Sequence, residues 1–179
     1  MLRVVGAASF GWAVLESQWV NAALFALVWG GLMLPRIPVR VLAISPVADL
    51  VLSVVVLFAA WSAVLDLYLR YEGLDLVVHA VASGLIAAQA HRALTRQSPP
   101  GRTLDHSARP ARFATMLTVA SLGCALGLLW EVGEWVGHTY LDERIQVGYN
   151  DTMGDLVADG LGALVAGASL ASRSRAGAR

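Results

Sequence analysis

Six apolar runs, at about residues 3–16, 18–34, 46–67, 74–93, 113–140 and 152–171, occupy most of this 179-residue chain. A helix needs roughly 20 residues to cross the hydrocarbon core of a bilayer, and the runs lie near or somewhat to either side of that length. The chain is 57% hydrophobic with a mean hydropathy of +0.62, above the roughly 45–50% apolar content of soluble domains. The expected fold is therefore all-α: a polytopic transmembrane helix bundle forming one integral membrane domain over residues 1–179. Six spans are the natural count. The break at Glu16-Ser17-Gln18 is weak, so five spans with a fused or interfacial first segment form the alternative. Pro35 and Pro38 end the second run, and Ser45-Pro46 opens the third as an N-cap followed by proline at the first helical position. The stretch Leu2 to Leu15 reads as a signal peptide by hydropathy but lacks a small-residue cleavage site, and is expected to be retained.

Charge orients the bundle. All 13 basic residues are arginines. With six spans, Arg3, Arg36, Arg40, Arg92, Arg96, Arg102, Arg109, Arg112, Arg173, Arg175 and Arg179 fall on one side, and only Arg70 and Arg144 on the other. The positive-inside rule makes the first side cytoplasmic, with both termini and an Arg-rich loop at 95–112 inside. Tyr68, Tyr71, Tyr140 and Tyr149 all lie toward the outer ends, where an amphipathic ring suits the lipid–water interface. These features predict a multi-pass membrane protein with a defined orientation. The arginine-rich loop is explained by topology, with anionic lipid as a further contact, and no nucleic-acid partner is expected. Cys124 is the only cysteine, so neither a disulfide nor a cysteine zinc site is available.

Against this apolar background the acids stand out. A charged side chain at membrane depth costs roughly 2.5–3.5 kcal/mol even on lenient insertion scales, so such residues face a bundle interior and mark a site. Asp75 and His79 in the fourth run are four residues apart and share a helix face, which Ser83 continues. In one reading Asp75 only complements the helix dipole and orients a buried histidine. An Asp-His-Ser hydrolase on one helix is a minor alternative, since no nucleophile turn or oxyanion motif accompanies it. In the fifth run Glu131, Glu134 and His138 form one polar stripe. Surface exposure explains His138, but not Glu131, which is flanked by apolar residues. The sixth run opens on Asn150-Asp-Thr-Met-Gly-Asp155, in which Thr152 and Asp155 read as a capping box. Asp159 lies too deep for that role and requires a partner.

Acids and histidine on three helices, at similar depth, must share protons, bind a cation or meet a positively charged substrate. Arg70 and Arg144 are the chief cationic partners on that side. Oxygen-rich donors with one or two imidazoles suit a divalent metal ion, Mg²⁺, Mn²⁺, Fe²⁺ or Zn²⁺. The candidate ligands are Asp75, His79, Asp155 and Asp159, with Glu131 and Glu134 as candidate catalytic bases. A proton-sharing hydrogen-bond network is the competing reading. Gly84-x-x-x-Ala88, Gly123-x-x-x-Gly127 and Gly162-x-x-x-Ala166 are spacings that allow close helix approach.

Through Tyr71-x-x-x-Asp75-x-x-x-His79, Trp130-Glu131-x-x-Glu134 and Asp151-Thr152-x-x-Asp155-Leu-x-x-Asp159-x-x-Gly162-Ala163, the chain resembles the bacterial inner-membrane proteins of the YjdF type, over nearly its whole length. More distantly the layout is similar to VanZ-like proteins, whose pattern runs Asp-x-x-x-His, Glu-x-x-Gln, then Asp-x-x-x-Asn before a glycine. Glu134 and Asp159 replace that Gln and Asn, which makes this site more acidic and weakens any transfer of a glycopeptide-resistance function. The resemblance implies a six-helix fold with a shared polar site.

Three function classes follow. A membrane enzyme would act on a lipid or lipid-linked headgroup, using Glu131 or Glu134 as base and Asp155, Asp159 and His79 to hold a metal or position a phosphate. An ion or proton pathway would need polar residues continuing inward, and the inner halves of these helices are almost wholly apolar. A non-catalytic accessory or assembly subunit would engage a membrane protein partner and need the site for folding alone.

Overall fold

The computed structural model describes residues 1–33, 45–96 and 109–176. In chain order the helices are α1 (Leu2–Leu15), α2 (Trp19–Met33), α3 (Pro46–Val64), α4 (Leu67–Arg70), α5 (Leu74–Thr95), α6 (Arg109–Tyr140) and α7 (Tyr149–Ala176). No strand occurs among the described residues. Four helices, α3, α5, α6 and α7, are long and apolar enough to cross a membrane, while α1 and α2 are shorter apolar helices. This is an all-α, polytopic membrane protein. The 14 residues of α1 extend about 21 Å, short of a roughly 30 Å hydrocarbon core.

The chain divides into two compact units, Met1–Val78 with Glu134–Gln146, and His79–Gly133 with Val147–Arg179. In the first, the expected weak break is a tight turn. Ser17 adopts a left-handed backbone at φ 56, and Gln18 N–H returns to Ala13 O at 2.9 Å. Helices α1 and α2 are therefore an antiparallel hairpin and not one fused segment. The hairpin closes where Gly6 meets Trp29 and Leu32, since a Cβ on Gly6 would lie 3.3 Å from Trp29 Cδ1. Ala13, Ala22, Phe25 and Ala60 form the buried centre. Trp61 of α3 packs on Trp12 and Phe25, at 5.4 and 5.2 Å between ring centroids, and its indole N–H donates to Ser9 Oγ at 3.1 Å. At the other end Arg3 donates to Leu32 O at 2.7 Å and to Asp49 at 2.6 Å, tying three helix ends together. Ser45 caps α3 as its spacing predicts, its hydroxyl accepting from Ala48 N–H at 3.2 Å with Pro46 following. The stop at Pro35 and Pro38 lies outside the described residues, as does 97–108 of the 95–112 loop. The end of that loop is helical, because α6 begins at Arg109, earlier than the apolar run suggests. A first turn of Arg-Pro-Ala-Arg is hydrophilic yet favourable to a helix, proline being suited to its opening positions.

The second unit is made by α5, α6 and α7. Register along the helices fixes their directions. Ala80 and Gly84 of α5 abut Gly162 and Ala166 of α7 in parallel order, whereas Gly123, Gly127 and Met116 of α6 abut Ala163, Asp159 and Gly167 in antiparallel order. Ala87, Val119 and Ala163 are buried where the three meet. Contact is backbone to backbone: a Cβ on Gly84 would stand 2.7 Å from Gly162 O, and one on Gly162 would overlap the Ala80 carbonyl. Without a hydrophobic effect between helices in lipid, such close dispersion contact holds them together. The outward residues Leu128, Leu129, Val132, Leu161, Leu164 and Val165 are exposed, as a lipid-facing surface requires.

Candidate functional site

Two local features place Asp75 and His79. Gly73, at φ 78, permits the reversal before α5, and Leu74 N–H bonds back to Tyr71 O at 3.0 Å. Asp75 then lies in the first turn, where a carboxylate is favoured by the helix dipole. His79 follows one turn later and Ser83 a turn beyond, each four residues apart and so on one face. From α7 the same spacing brings Asp151, Asp155 and Asp159 onto one face. Asp155 and Asp159 are 2% and 0% exposed.

Asp159 joins these two helices. His79 Nδ1 lies 3.2 Å from Asp159 Oδ1, and the Ser83 hydroxyl donates to the same oxygen. The other oxygen, Oδ2, lies against Gly127 of α6, in the space that a Cβ would take there, and has no hydrogen-bond partner among the described residues. The hydrolase alternative fails on this geometry. A serine nucleophile is activated by an imidazole, whereas the Ser83 proton here is directed to a carboxylate.

Glu131 comes from α6. It is 7% exposed, and the Thr152 side chain hydrogen-bonds to it, while its Oε1 is buried without a hydrogen-bond partner among the described residues. The expected capping box is therefore not formed: α7 starts at Tyr149, and Thr152 N–H already bonds to Gly148 O at 2.8 Å inside the helix. Freed from capping, the Thr152 hydroxyl serves the site. The expected Glu131–Glu134–His138 stripe is divided as well. Glu131 continues the Gly123–Gly127 face toward α7, whereas half-buried Glu134 and His138 belong to the first unit. His138 is not a surface residue. Its Nδ1–H donates to Ile145 O at 2.6 Å and closes the turn after α6. In that turn Arg144 makes a forked contact to Asp142 at 2.7–3.1 Å and holds its carboxyl down at about 2. This cation is committed to Asp142.

The structure thus brings His79, Ser83, Glu131, Thr152, Asp155 and Asp159 together in the second unit. A His79 ring nitrogen and an Asp155 carboxylate oxygen lie within 4.8 Å of each other, and Asp75, one turn earlier on the same helix, offers an oxygen within the same distance of that nitrogen. Donors about 2.1 Å from one ion stand up to about 4.2 Å apart, so His79 and Asp155 could both reach a small divalent cation after minor side-chain adjustment. Ser83 was legible as a continuation of the Asp75–His79 face. Gly127 and Thr152 were not: each carries a familiar structural signature, a small-residue spacing and a cap, that hides its contact with an acid.

One family model matches the chain, over residues 1–176, with the description "Predicted membrane protein (DUF2238)". The resemblance to YjdF-type proteins agrees with it, YjdF being a member of that family. No curated protein and no solved structure matches the chain.

Proposed function

The chain belongs to the DUF2238 family of predicted membrane proteins, and from that premise we propose that it carries out metal-dependent chemistry on a lipid or lipid-linked headgroup in the bacterial inner membrane. Both termini lie in the cytoplasm and the acid/His group opens toward the outer side. Residues 1–179 act as one membrane domain, distantly like the VanZ-like proteins.

One observation carries the proposal. Glu131, Asp155 and Asp159 are three buried carboxylates gathered around the single imidazole of His79. Three negative charges in a low dielectric exceed what one imidazolium neutralises. A divalent cation held at His79 and Asp155 would balance them and, when bound, polarise a headgroup phosphate. Glu131, with Oε1 unpartnered among the described residues and Thr152 beside its carboxyl, is positioned to take a proton from water or a headgroup hydroxyl. Glu134 is the second candidate base. Membrane lipid is the expected partner.

Two experiments test this. Lipid extracts from a deletion strain, the wild type and Glu131→Gln should differ in one headgroup class, with Glu131→Gln giving the deletion profile at a normal protein level. Identical profiles together with a stoichiometric membrane protein partner would favour the accessory-subunit reading instead. For orientation, in a Cys124→Ser background, a membrane-impermeant maleimide should label a cysteine at Asn150 and spare one at Ser172 in intact cells. The reverse pattern contradicts the topology.

A further inference from the structure

We infer that Asp159 is a positioning residue that holds His79 in one tautomer, with the proton on Nδ1 and the lone pair on Nε2, and that it is not itself a cation ligand. This deepens the proposed function and rests on its cation reading of the site.

The argument begins with what each Asp159 oxygen touches. Oδ1 receives His79 Nδ1 at 3.2 Å and the Ser83 hydroxyl. Oδ2 faces the bare backbone of Gly127. The side chain is wholly enclosed, at 0% exposure, while that of His79 is 10% exposed. One oxygen is saturated and the other is walled by α6, so an ion has no approach to Asp159. The donors that approach within 4.8 Å in this unit are instead those of His79 and Asp155. A carboxylate accepting from Nδ1–H leaves Nε2 as the metal-binding nitrogen. This is the carboxylate–histidine–metal arrangement, in which the outer acid fixes ring orientation and raises ligand basicity. Ser83 then has a reason to be there. Its hydroxyl donates to Oδ1 and holds the carboxylate in place, which a purely structural serine would not do, since it would return its proton to a carbonyl of its own helix, as Ser9 and Ser53 do.

The test combines cobalt(II) titration of the full-length protein in detergent with nitrogen-15 NMR of its histidines, His79 being assigned by His79→Gln. Asp159→Asn keeps an acceptor for Nδ1–H and should retain one cobalt site weakened about 10–100-fold, whereas Asp155→Asn and His79→Gln should abolish it. If Asp159→Asn removes the ion as completely as Asp155→Asn, Asp159 is a ligand, and the inference fails while the cation reading stands. If the wild type binds no cobalt, the cation reading and the ligand assignment fail together, and the tautomer decides the positioning role alone: His79 protonated on Nδ1 supports it, and His79 protonated on Nε2 overturns it. The tautomer is read on the wild type, so an unstable variant does not block the test.

Discussion

Gly162→Ala is expected to prevent normal accumulation of the protein in the membrane. The added Cβ would overlap the Ala80 carbonyl of α5, with Ala80 C and Cα also within 2.7 Å. Backbone cannot rotate away as a side chain can, so α5 and α7 must separate. That loss should reach or exceed the upper end of the roughly 1–3 kcal/mol typical of overpacking, against a total stability of about 5–15 kcal/mol. Gly133→Ala is the control, because nothing lies within 4 Å of the added methyl. Thermal unfolding of the two variants in detergent measures the difference. A midpoint for Gly162→Ala equal to that of Gly133→Ala would show that α5 and α7 do not approach as described.

Gly127→Ala should act on the site while leaving the fold largely intact. Here the added Cβ meets the Asp159 carboxylate, first Oδ2 and then Cγ at 2.7 Å, with Asp159 Cβ at 3.0 Å. The end of a side chain can turn aside. In doing so it leaves His79 Nδ1 and the Ser83 hydroxyl without their acceptor, and each buried polar group so orphaned costs about 1–3 kcal/mol. Normalised to the protein that accumulates, the variant should lose headgroup chemistry to the same extent as Glu131→Gln, although no titratable residue has been changed. Full activity in Gly127→Ala would mean that the Asp159 position is immaterial.

These two glycines show how far the sequence could be read. All the small-residue spacings look alike as a pattern, and each promises close helix approach. What lies opposite is a tertiary fact: a carbonyl at Gly162 and a carboxylate at Gly127. The helices themselves were legible, because in lipid an uninterrupted apolar run has few alternatives to a helix. So was the relation of Asp75, His79 and Ser83, which follows from the helical repeat within one segment. The boundaries were less so. Helix α6 reaches back through Arg112 to Arg109 and α7 begins at Tyr149, since polar first turns are helical yet invisible to hydropathy. That shift of one turn in α7 converts Thr152 from an expected cap into a partner of Glu131. The stripe on α6 serves two different places along the helix. Glu131, Glu134 and His138 share an approximate face by spacing, but seven residues, about 10 Å along the axis, separate Glu131, which follows Gly127 toward α7, from His138, which bonds the turn at Ile145.

The central claim is that the buried acid/His group holds a divalent cation, and elemental analysis tests it most directly. Protein extracted in mild detergent without chelator, from cells grown with trace metals, should carry one divalent ion per chain by mass spectrometry. His79→Gln and Asp155→Asn, purified in parallel, should carry none. Wild-type protein that is folded, monodisperse and free of divalent metal, and that takes up none on addition of Mn²⁺, Zn²⁺ or Mg²⁺, would contradict the account and leave the carboxylates to share protons instead.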